Sequence, residues 1–456
     1  MRENAVACDR FNFISLLEIK GRKAVNEHPT FYIKGHVPEG SDEYVLRNSA
    51  SQIVKFTASH PVEGSKGLFS GIIHDISIRT ENDNCILSLS VVGKSALMDI
   101  EPITRTFQDA DMTYEEVTDR MVRGSESFNF LWPAHGEMNI GSMAVQYEET
   151  DWHFAKRLAG RLGTVVVPDY LLDEPYISIG MTKRPVQQGI DIISYKIHKG
   201  TAEYRCYDDG HDEREAISCI VKSRDIFDLC DGIPFLGKML FVQAIDTVYE
   251  GNELVHYYTL KEKDCFFTNK QFNENIIGVS LTGTVRDVSR DKVQISVWGD
   301  VNQKKHKWFP FASPFTQPSG HGWYFMPEIG DEVRMQFPSK HEHDAFVSSG
   351  FHVAHGSRLD PRVKHVRTIY GQAIQFCPER ILIHDNNGSS VIIDKSQGIS
   401  MYTSKTIDIR AISDVVLSAS GNMKLSGASG VSLQNGPSVV NIDDTIEISS
   451  LHNRVQ

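Results

Sequence analysis

The sequence predicts a mainly β protein with some α-helix. It is predicted to contain a mixed amino-terminal section, a small closed barrel of the OB type and a carboxy-terminal β-helix wound from three chains. Two observations carry this prediction. Short runs of alternating apolar and polar residues recur through the first two sections, and apolar pairs return every eight residues in the last. We place the sections at residues 1–275, 276–352 and 381–456, with a linker at 353–380.

The composition limits the kinds of molecule that the protein is expected to bind. The chain has 456 residues, and its formal net charge is −12. At about 100–200 residues per domain, this length allows about three domains. Binding to nucleic acid or anionic lipid requires lysine and arginine to contact phosphate groups, so a chain this acidic is not expected to bind either one.

The cysteines and the amino terminus indicate synthesis in the cytoplasm. The seven cysteines are an odd number with irregular spacing and no CxxC, which favours free thiols over disulfides or a zinc site. The first residues lack a basic region followed by an apolar run, so we expect no signal peptide. No apolar run approaches the ~20 residues that cross a bilayer.

Two helices are predicted within the amino-terminal section. Thr113 and Glu116 have the spacing of a capping box, in which each side chain binds the backbone N–H of the other residue. A second helix is predicted over Trp152–Leu162, with Thr150 or Asp151 as its N-cap. These features predict a packed domain and indicate no chemistry.

The sequence pattern of the middle section predicts a compact barrel of about five short strands. Strand candidates are Gly283–Val285, Val293–Trp298 and Glu332–Phe337, and a loop is predicted over Pro310–Gly322. Barrels of this type often bind single-stranded nucleic acid through a positively charged groove. This one has eight basic and eight acidic residues between positions 278 and 350, so such a groove is not expected.

The last section carries the eight-residue repeat. Each repeat has two apolar residues separated by one position, and the residues between pairs are mostly Ser, Thr, Asp, Asn, Lys and Gly. A fixed period this short indicates stacked strands. The pairs are Val391/Ile393, Ile399/Met401, Ile407/Ile409, Val415/Leu417, Met423/Leu425 and Val431/Leu433.

Eight residues form only one side of a prism, whereas a single-chain solenoid usually needs about 18 residues per coil. Three chains wound together would supply three sides. Each buried apolar side chain then contributes roughly 1.5–3 kcal/mol. We therefore predict an intertwined triple-stranded β-helix in a homotrimer, with the twelve paired residues facing the shared axis. A single-chain solenoid is the alternative.

Several stretches resemble the VgrG family, the hub and spike proteins of type VI secretion and related contractile injection systems. The similar segments are Gly67–Ile73, Arg105–Gln108, Gln146–Phe154, Trp308–Pro314 and Gly330–Val333. Within the third segment, the family's hub motif corresponds to Tyr147, Asp151, Trp152 and Phe154. The order of hub, barrel and repeat also matches the family.

This resemblance implies a homotrimer whose phage-hub-like β-barrel domains connect a six-fold inner tube to a three-fold, membrane-piercing needle. The implied partners are the inner tube protein, baseplate proteins, a PAAR-like tip protein and effector cargo. Contact with a membrane would be transient, during piercing. The protein would be assembled in a contractile particle and delivered to the cell exterior or a target cell. A type VI system, a bacteriocin, an extracellular injection particle and a prophage tail are all compatible with these motifs.

No catalytic residue, metal ligand or cofactor is predicted. His341 and His343, like His352 and His355, lack a third and fourth ligand at useful spacing. The alternatives to a structural hub and spike are a phage-tail-like adhesin and a glycan hydrolase. An adhesin would need aromatic side chains to stack on sugars, but Tyr402 is the only aromatic residue between positions 391 and 450. A hydrolase would need a pair of acids in a pocket, which cannot be placed here.

Overall fold

The computed structural model describes residues 6–43, 52–60, 64–82, 84–122, 128–201, 205, 212–301, 305–317, 321–350 and 360–449. The chain divides into two units, Met1–Ala354 and His355–Gln456. In the described ranges, no helix is long and apolar enough to cross a membrane.

The first unit begins with a domain that we call the sheet domain, containing sixteen strands in its described part. They are β1 (Val6–Cys8), β2 (Ser15–Ala24), β3 (Thr30–Val37), β4 (Ile53–His60), β5 (Gly64–Glu81), β6 (Asn84–Val92), β7 (Ile103–Phe107), β8 (Asn129–Leu131), β9 (Ala144–Glu149), β10 (Val166–Pro168), β11 (Tyr176–Ile179), β12 (Ser194–Lys199), β13 (Ile217–Ser223), β14 (Gly232–Phe235), β15 (Lys238–Glu250) and β16 (Glu253–Lys261). The helices are α1 (Tyr114–Val122) and α2 (Asp151–Arg161). Short 3₁₀ segments lie at Lys94–Asp99, Glu213–Ala216, Lys263–Cys265 and Glu274–Ile276.

Most of these strands form one antiparallel sheet of eleven strands. Its order is β1-β4-β5-β6-β3-β2-β15-β16-β13-β12, and β14 pairs with β15 beside this path. Strands β2 and β15 pair with each other and so join the strands that come early in the chain to those that come late. Their paired residues run from Ala24 opposite Ala244 to Lys20 opposite Val248. On one face, the ring of Phe31 contacts Phe56, with centroids 4.5 Å apart.

Both predicted helix starts are confirmed. The Thr113 hydroxyl accepts from the Glu116 N–H at 3.1 Å, and the Glu116 carboxylate accepts from the Thr113 N–H at 2.9 Å. Thr150 is the N-cap of α2, because its hydroxyl accepts from the His153 N–H. After α2, Gly163 takes a φ of +60°, a left-handed conformation that glycine adopts at little cost.

The barrel completes the first unit. It is closed by β17 (Ser280–Ser289), β18 (Lys292–Val297), β19 (Trp308–Ala312), β21 (Phe346–Gly350) and β20 (Glu332–Gln336), in that order. A 3₁₀ segment, Glu342–Asp344, lies between β20 and β21. The predicted start of the loop at Pro310 is wrong, since Pro310 lies inside β19 opposite Lys292. The next ladder bond is donated by the Phe311 N–H to the Asp291 carbonyl, so β19 continues past the proline.

The second unit contains two small antiparallel sheets. The first comprises β22 (Lys364–Arg367), β23 (Ala373–Phe376), β24 (Arg380–His384), β25 (Ser390–Asp394) and β26 (Gly398–Tyr402), and the second comprises β27 (Val431–Asn435), β28 (Ser438–Ile442) and β29 (Ile446–Ser449). Residues 403–430, all described, form no helix or strand. The stretch 353–380, predicted as a linker, thus includes β22 and β23.

One buried histidine makes the sheet domain sensitive to acid. His256, on β16, is 1% exposed, and its Nδ1 lies 2.9 Å from the Thr247 hydroxyl. Within the described residues, its Nε2 has no hydrogen-bond partner. Burial, together with the positive charges of Lys23 and Lys66, lowers the pKa of His256 from 6.5 to about 3. The folded protein therefore keeps this imidazole neutral.

We predict that His256 contributes to acid unfolding. Below about pH 6.5 the unfolded chain binds a proton at His256 that the folded chain does not bind until about pH 3, so stability falls as pH falls through that interval. Urea unfolding of the wild type and His256→Gln should show a smaller loss of unfolding free energy between neutral pH and about pH 4 in the variant. His343→Gln, at an exposed histidine, is the control. An equal loss of unfolding free energy on acidification in all three proteins would contradict the prediction.

Candidate functional site

The sheet domain and the barrel share a buried boundary, which we call the junction. Strand β9 pairs with β7, and the apolar side chains of Met143 and Val145 belong to the same cluster as the barrel residues Val285 and Ile295. Helix α2 follows β9 directly and carries most of the hub-motif residues. Two of the segments that resemble the VgrG family, Arg105–Gln108 and Gln146–Phe154, therefore meet at the junction, whereas Gly67–Ile73 lies in β5 of the eleven-stranded sheet.

The first polar group of the junction centres on Arg105 of β7. Its Nη1 donates to Asp151 Oδ1 at 2.5 Å and to Gln146 Oε1 at 2.9 Å. Its Nη2 donates to the carbonyl of Met121 at the end of α1. Gln146 also donates to Asp151 Oδ1 at 2.8 Å. These bonds fix β7, β9 and both helices relative to one another.

The second polar group centres on Arg157 of α2 and links α2 to the barrel. Arg157 is 2% exposed. Its Nε and Nη2 bind the two carboxylate oxygens of Glu149 at 3.1 and 2.8 Å. Its Nη1 donates to Glu342 Oε1 in the barrel at 2.6 Å, and Arg161 Nη2 reaches the same oxygen at 3.0 Å.

The pKa shifts in this second group show how its charges are held. Burial alone would raise the pKa of Glu342, but the positive charges of Arg157 and Arg161 lower it below its usual value. Burial alone would lower the pKa of Arg157, and the carboxylates of Glu149 and Glu342 raise it. Glu342 and Arg157 therefore both remain charged while buried, which requires that each keeps its partners.

Backbone hydrogen bonds reinforce the junction beside β7. The Thr106 N–H donates to the Gly299 carbonyl at 2.9 Å. The side-chain amide of Gln108 donates to the Ile295 carbonyl at 3.0 Å and to Asp300 Oδ2 at 3.1 Å. The end of β7 is thus attached to the barrel through both main-chain and side-chain groups.

The apolar members of the hub motif pack on either side of α2. Trp152 lies against the His28 ring, with centroids 4.1 Å apart. Phe154 stacks on Phe107, with centroids 5.8 Å apart. Tyr147 is partly buried against the barrel core, and its carbonyl accepts from the Asn273 side chain at 2.7 Å.

The junction has the composition of a structural contact. Its carboxylates are engaged by arginine or amide donors, and the described residues contain no group of three or more His, Cys, Asp or Glu side chains arranged to hold a metal ion. His341 packs edge-on against Phe272, with centroids 4.9 Å apart, and His343 lies 3.3 Å from Asp344. His352 and His355 lie outside the described residues.

Two protein-family profiles match the chain on the two sides of this junction. Residues 42–169 match the phage tail baseplate hub, and residues 281–352 match the type VI secretion system/phage-baseplate injector OB domain. Over these two segments the chain is similar to the baseplate hub of phage tails and to the injector OB domain of type VI secretion systems and phage baseplates. The search of curated proteins gives no match to this chain.

Solved structures share the fold of this chain at low sequence identity. The Escherichia coli c3393 protein is described as a type VI secretion component with structural similarity to the T4 phage tail proteins gp27 and gp5. It aligns with a TM-score of 0.52 at 11% identity, covering 76% of this chain and 99% of that one. A Francisella PdpA–VgrG complex in its half-lidded form aligns with a TM-score of 0.54 at 8% identity, covering 85% of this chain and 84% of that one.

The paired repeat residues of the second unit are far less buried than the hub-motif residues. The sequence predicts that all twelve belong to a trimer core, but the single chain does not enclose them. Val391 and Val431 are half-buried, and the other ten are exposed. The exposed ten are Ile393, Ile399, Met401, Ile407, Ile409, Val415, Leu417, Met423, Leu425 and Leu433.

The exposure of these residues has a physical reason, which is that a single layer of short strands covers only itself. Leu433 lies in β27 opposite Val440 of β28 and is still 54% exposed, because no second layer of the described residues covers it. Leu425 is 63% exposed and lies in the stretch 403–430, which has no regular structure. The burial expected for a core is thus not found within one chain, and the inward orientation of the twelve in a trimer stays a prediction.

Sequence reasoning missed the most consequential partner at the junction. In the sequence, Glu342 stands between two histidines and suggests at most a metal motif. In the structure, its carboxylate accepts hydrogen bonds from Arg157 and Arg161 of the sheet domain. Glu342 and Arg157 are 185 residues apart, and no local pattern connects them. The available signal was indirect, because Arg157 lies beside the apolar stripe of α2, where an unpaired charge would be costly.

We predict that Arg157→Leu destabilises the first unit by about 3–5 kcal/mol, because it leaves the carboxylates of Glu149 and Glu342 buried without their shared partner. Urea unfolding of the full chain measures this loss. Arg214→Leu is a matched control, since that guanidinium is exposed and pairs only locally with Asp212. The control should change stability little. Similar effects from both substitutions would show that the buried pairing does not hold the junction.

Proposed function

We propose that this protein is a hub and spike protein that works as a homotrimer at the centre of a baseplate, where it connects the inner tube to a membrane-piercing needle. Residues 381–456 would form the needle, an intertwined triple-stranded β-helix. The observation that carries the proposal is the exposure of the apolar repeat. Met401, Ile407 and Leu417 are 60%, 53% and 67% exposed in the single chain. Monomeric soluble proteins rarely leave so many neighbouring large apolar side chains in water.

The absence of regular structure in residues 403–430 gives further support. This described stretch contains the pairs Ile407/Ile409, Val415/Leu417 and Met423/Leu425, yet it has no strand partner within the described chain. A backbone without partners in a stretch of alternating apolar residues is suited to pairing with other chains. Two further copies would supply both the missing ladder bonds and the missing interior.

The remaining partners follow from the role of a hub and spike. We propose that the hub contacts the inner tube protein and baseplate proteins, and that the needle carries a PAAR-like tip protein or effector cargo. The hub and spike families have a structural role. We further propose that this protein has no catalytic activity, that it is made in the cytoplasm and that it leaves the cell as part of the contractile particle.

We predict that Ile407→Asp abolishes trimer assembly, because three carboxylates would meet near the axis without partners. Native mass spectrometry of the full chain should give three copies for the wild type and monomers for the variant. Thr406→Asp introduces the same charge at the neighbouring position, which the repeat places outside, and should remain trimeric. A wild type that is a stable monomer would refute the trimer. A trimeric Ile407→Asp variant would refute the inward orientation only.

A further inference from the structure

A buried carboxylate and a partly buried imidazole lie side by side at the junction. Asp300 follows β18, and its side chain is 6% exposed. Its Oδ2 accepts from Gln108 at 3.1 Å and lies 3.5 Å from Nδ1 of His306, just before β19. In the part of the chain that the structure describes, neither Asp300 Oδ1 nor His306 Nδ1 has a hydrogen-bond partner. Two buried polar atoms without hydrogen bonds are costly and call for an explanation.

Asp300 differs from the other buried acids of the junction in the group that compensates its negative charge. Asp151 and Glu342 each accept hydrogen bonds from an arginine, whereas the charge-neutral amide of Gln108 is the side-chain donor to Asp300. The carboxylate of Asp300 is therefore buried with less charge compensation than its neighbours. A buried carboxylate in this position favours its protonated form.

The charged groups around Asp300 come from two other elements. Arg120 on α1 donates to the Val301 carbonyl at 2.6 Å, and Arg286 lies on β17. Burial raises the pKa of Asp300 to about 6, against the opposing effects of the Gln108 hydrogen bond and these two arginines. Burial and the charge of Arg286 lower the pKa of His306, which keeps the imidazole neutral and available as an acceptor.

We propose that Asp300 and His306 form a proton-operated latch at the junction, in which one proton shared by the pair binds the segment before β19 to the turn after β18. That turn also contacts Thr106 of β7 and Gln108 just after β7, so closing the latch strengthens the attachment of the barrel to the sheet domain. When the proton leaves, the carboxylate stays buried with only the amide as its side-chain donor. The proposal concerns a single chain and holds whether or not the needle forms a trimer.

The direction of the pH effect follows from linkage. Between about pH 3.8, the ordinary value for an aspartate, and about pH 6, the folded chain holds a proton on Asp300 that the unfolded chain has lost. Stability from this group therefore rises as pH falls through that interval. His256 acts in the opposite direction over an overlapping range, so the two effects must be separated by substitution.

The test compares the wild type, Asp300→Asn and Asp291→Asn as full chains. Asparagine has nearly the shape of protonated aspartate, so Asp300→Asn should melt several degrees above the wild type near pH 7.5, and this gap should narrow strongly by about pH 5. Asp291 is exposed in the same barrel, and its substitution should leave the pH profile of the melting temperature unchanged. His306→Gln should also weaken the pH dependence, because it removes the proton's second partner. If the melting temperatures of the wild type and Asp300→Asn differ by the same amount at both pH values, the latch is overturned.

A second measurement does not depend on the folding of a variant. Carbon-13 NMR of the wild-type chain labelled at its aspartate carboxyls should contain a resonance that titrates near pH 6, well above exposed aspartates. Loss of this resonance in Asp300→Asn would assign it. A spectrum in which every aspartate carboxyl is already ionised at pH 5 would overturn the proposal.

Discussion

The first unit depends most on the salt bridges that the guanidinium of Arg157 makes with two buried carboxylates. This guanidinium is bound at once by a carboxylate of its own domain, Glu149, and by a carboxylate of the barrel, Glu342. A single planar group with five donors can satisfy both acids in fixed directions, which a lysine ammonium would not reproduce. Because the three charges are buried together, the two domains cannot separate without exposing unpaired charges or letting water into the junction.

The local features of this fold were predictable because their causes are local. The capping box of α1 requires only the spacing of Thr113 and Glu116, and the barrel followed from the spacing of its short strands. The pairing of Arg157 with Glu342 was not predictable, since it joins residues 185 positions apart. The predicted start of the loop at Pro310 is wrong because proline is typical of loops, although a strand tolerates it where its N–H is not needed.

The two units present opposite solutions to the burial of apolar groups. In the sheet domain, Phe31, Phe56 and Phe69 are each about 1% exposed, so the chain encloses its own core. In the second unit, Ile399 and Ile409 are both 69% exposed. The repeat was visible in the sequence because its period is short and regular, but the described part of a single chain has no element that covers these residues. Under the proposed function, their burial is a property of the assembly.

The pairing of β2 with β15 has a consequence for synthesis. Arg22 on β2 binds Asp246 on β15, and the two residues are 224 positions apart. A ribosome adds about 5–20 residues per second, so β2 waits on the order of ten seconds or more before its neighbour leaves the exit tunnel. During that time one side of the early strand group has its main-chain donors and acceptors open to other nascent chains. Slow, long-range strand pairing of this kind is where a growing polypeptide is most exposed to aggregation.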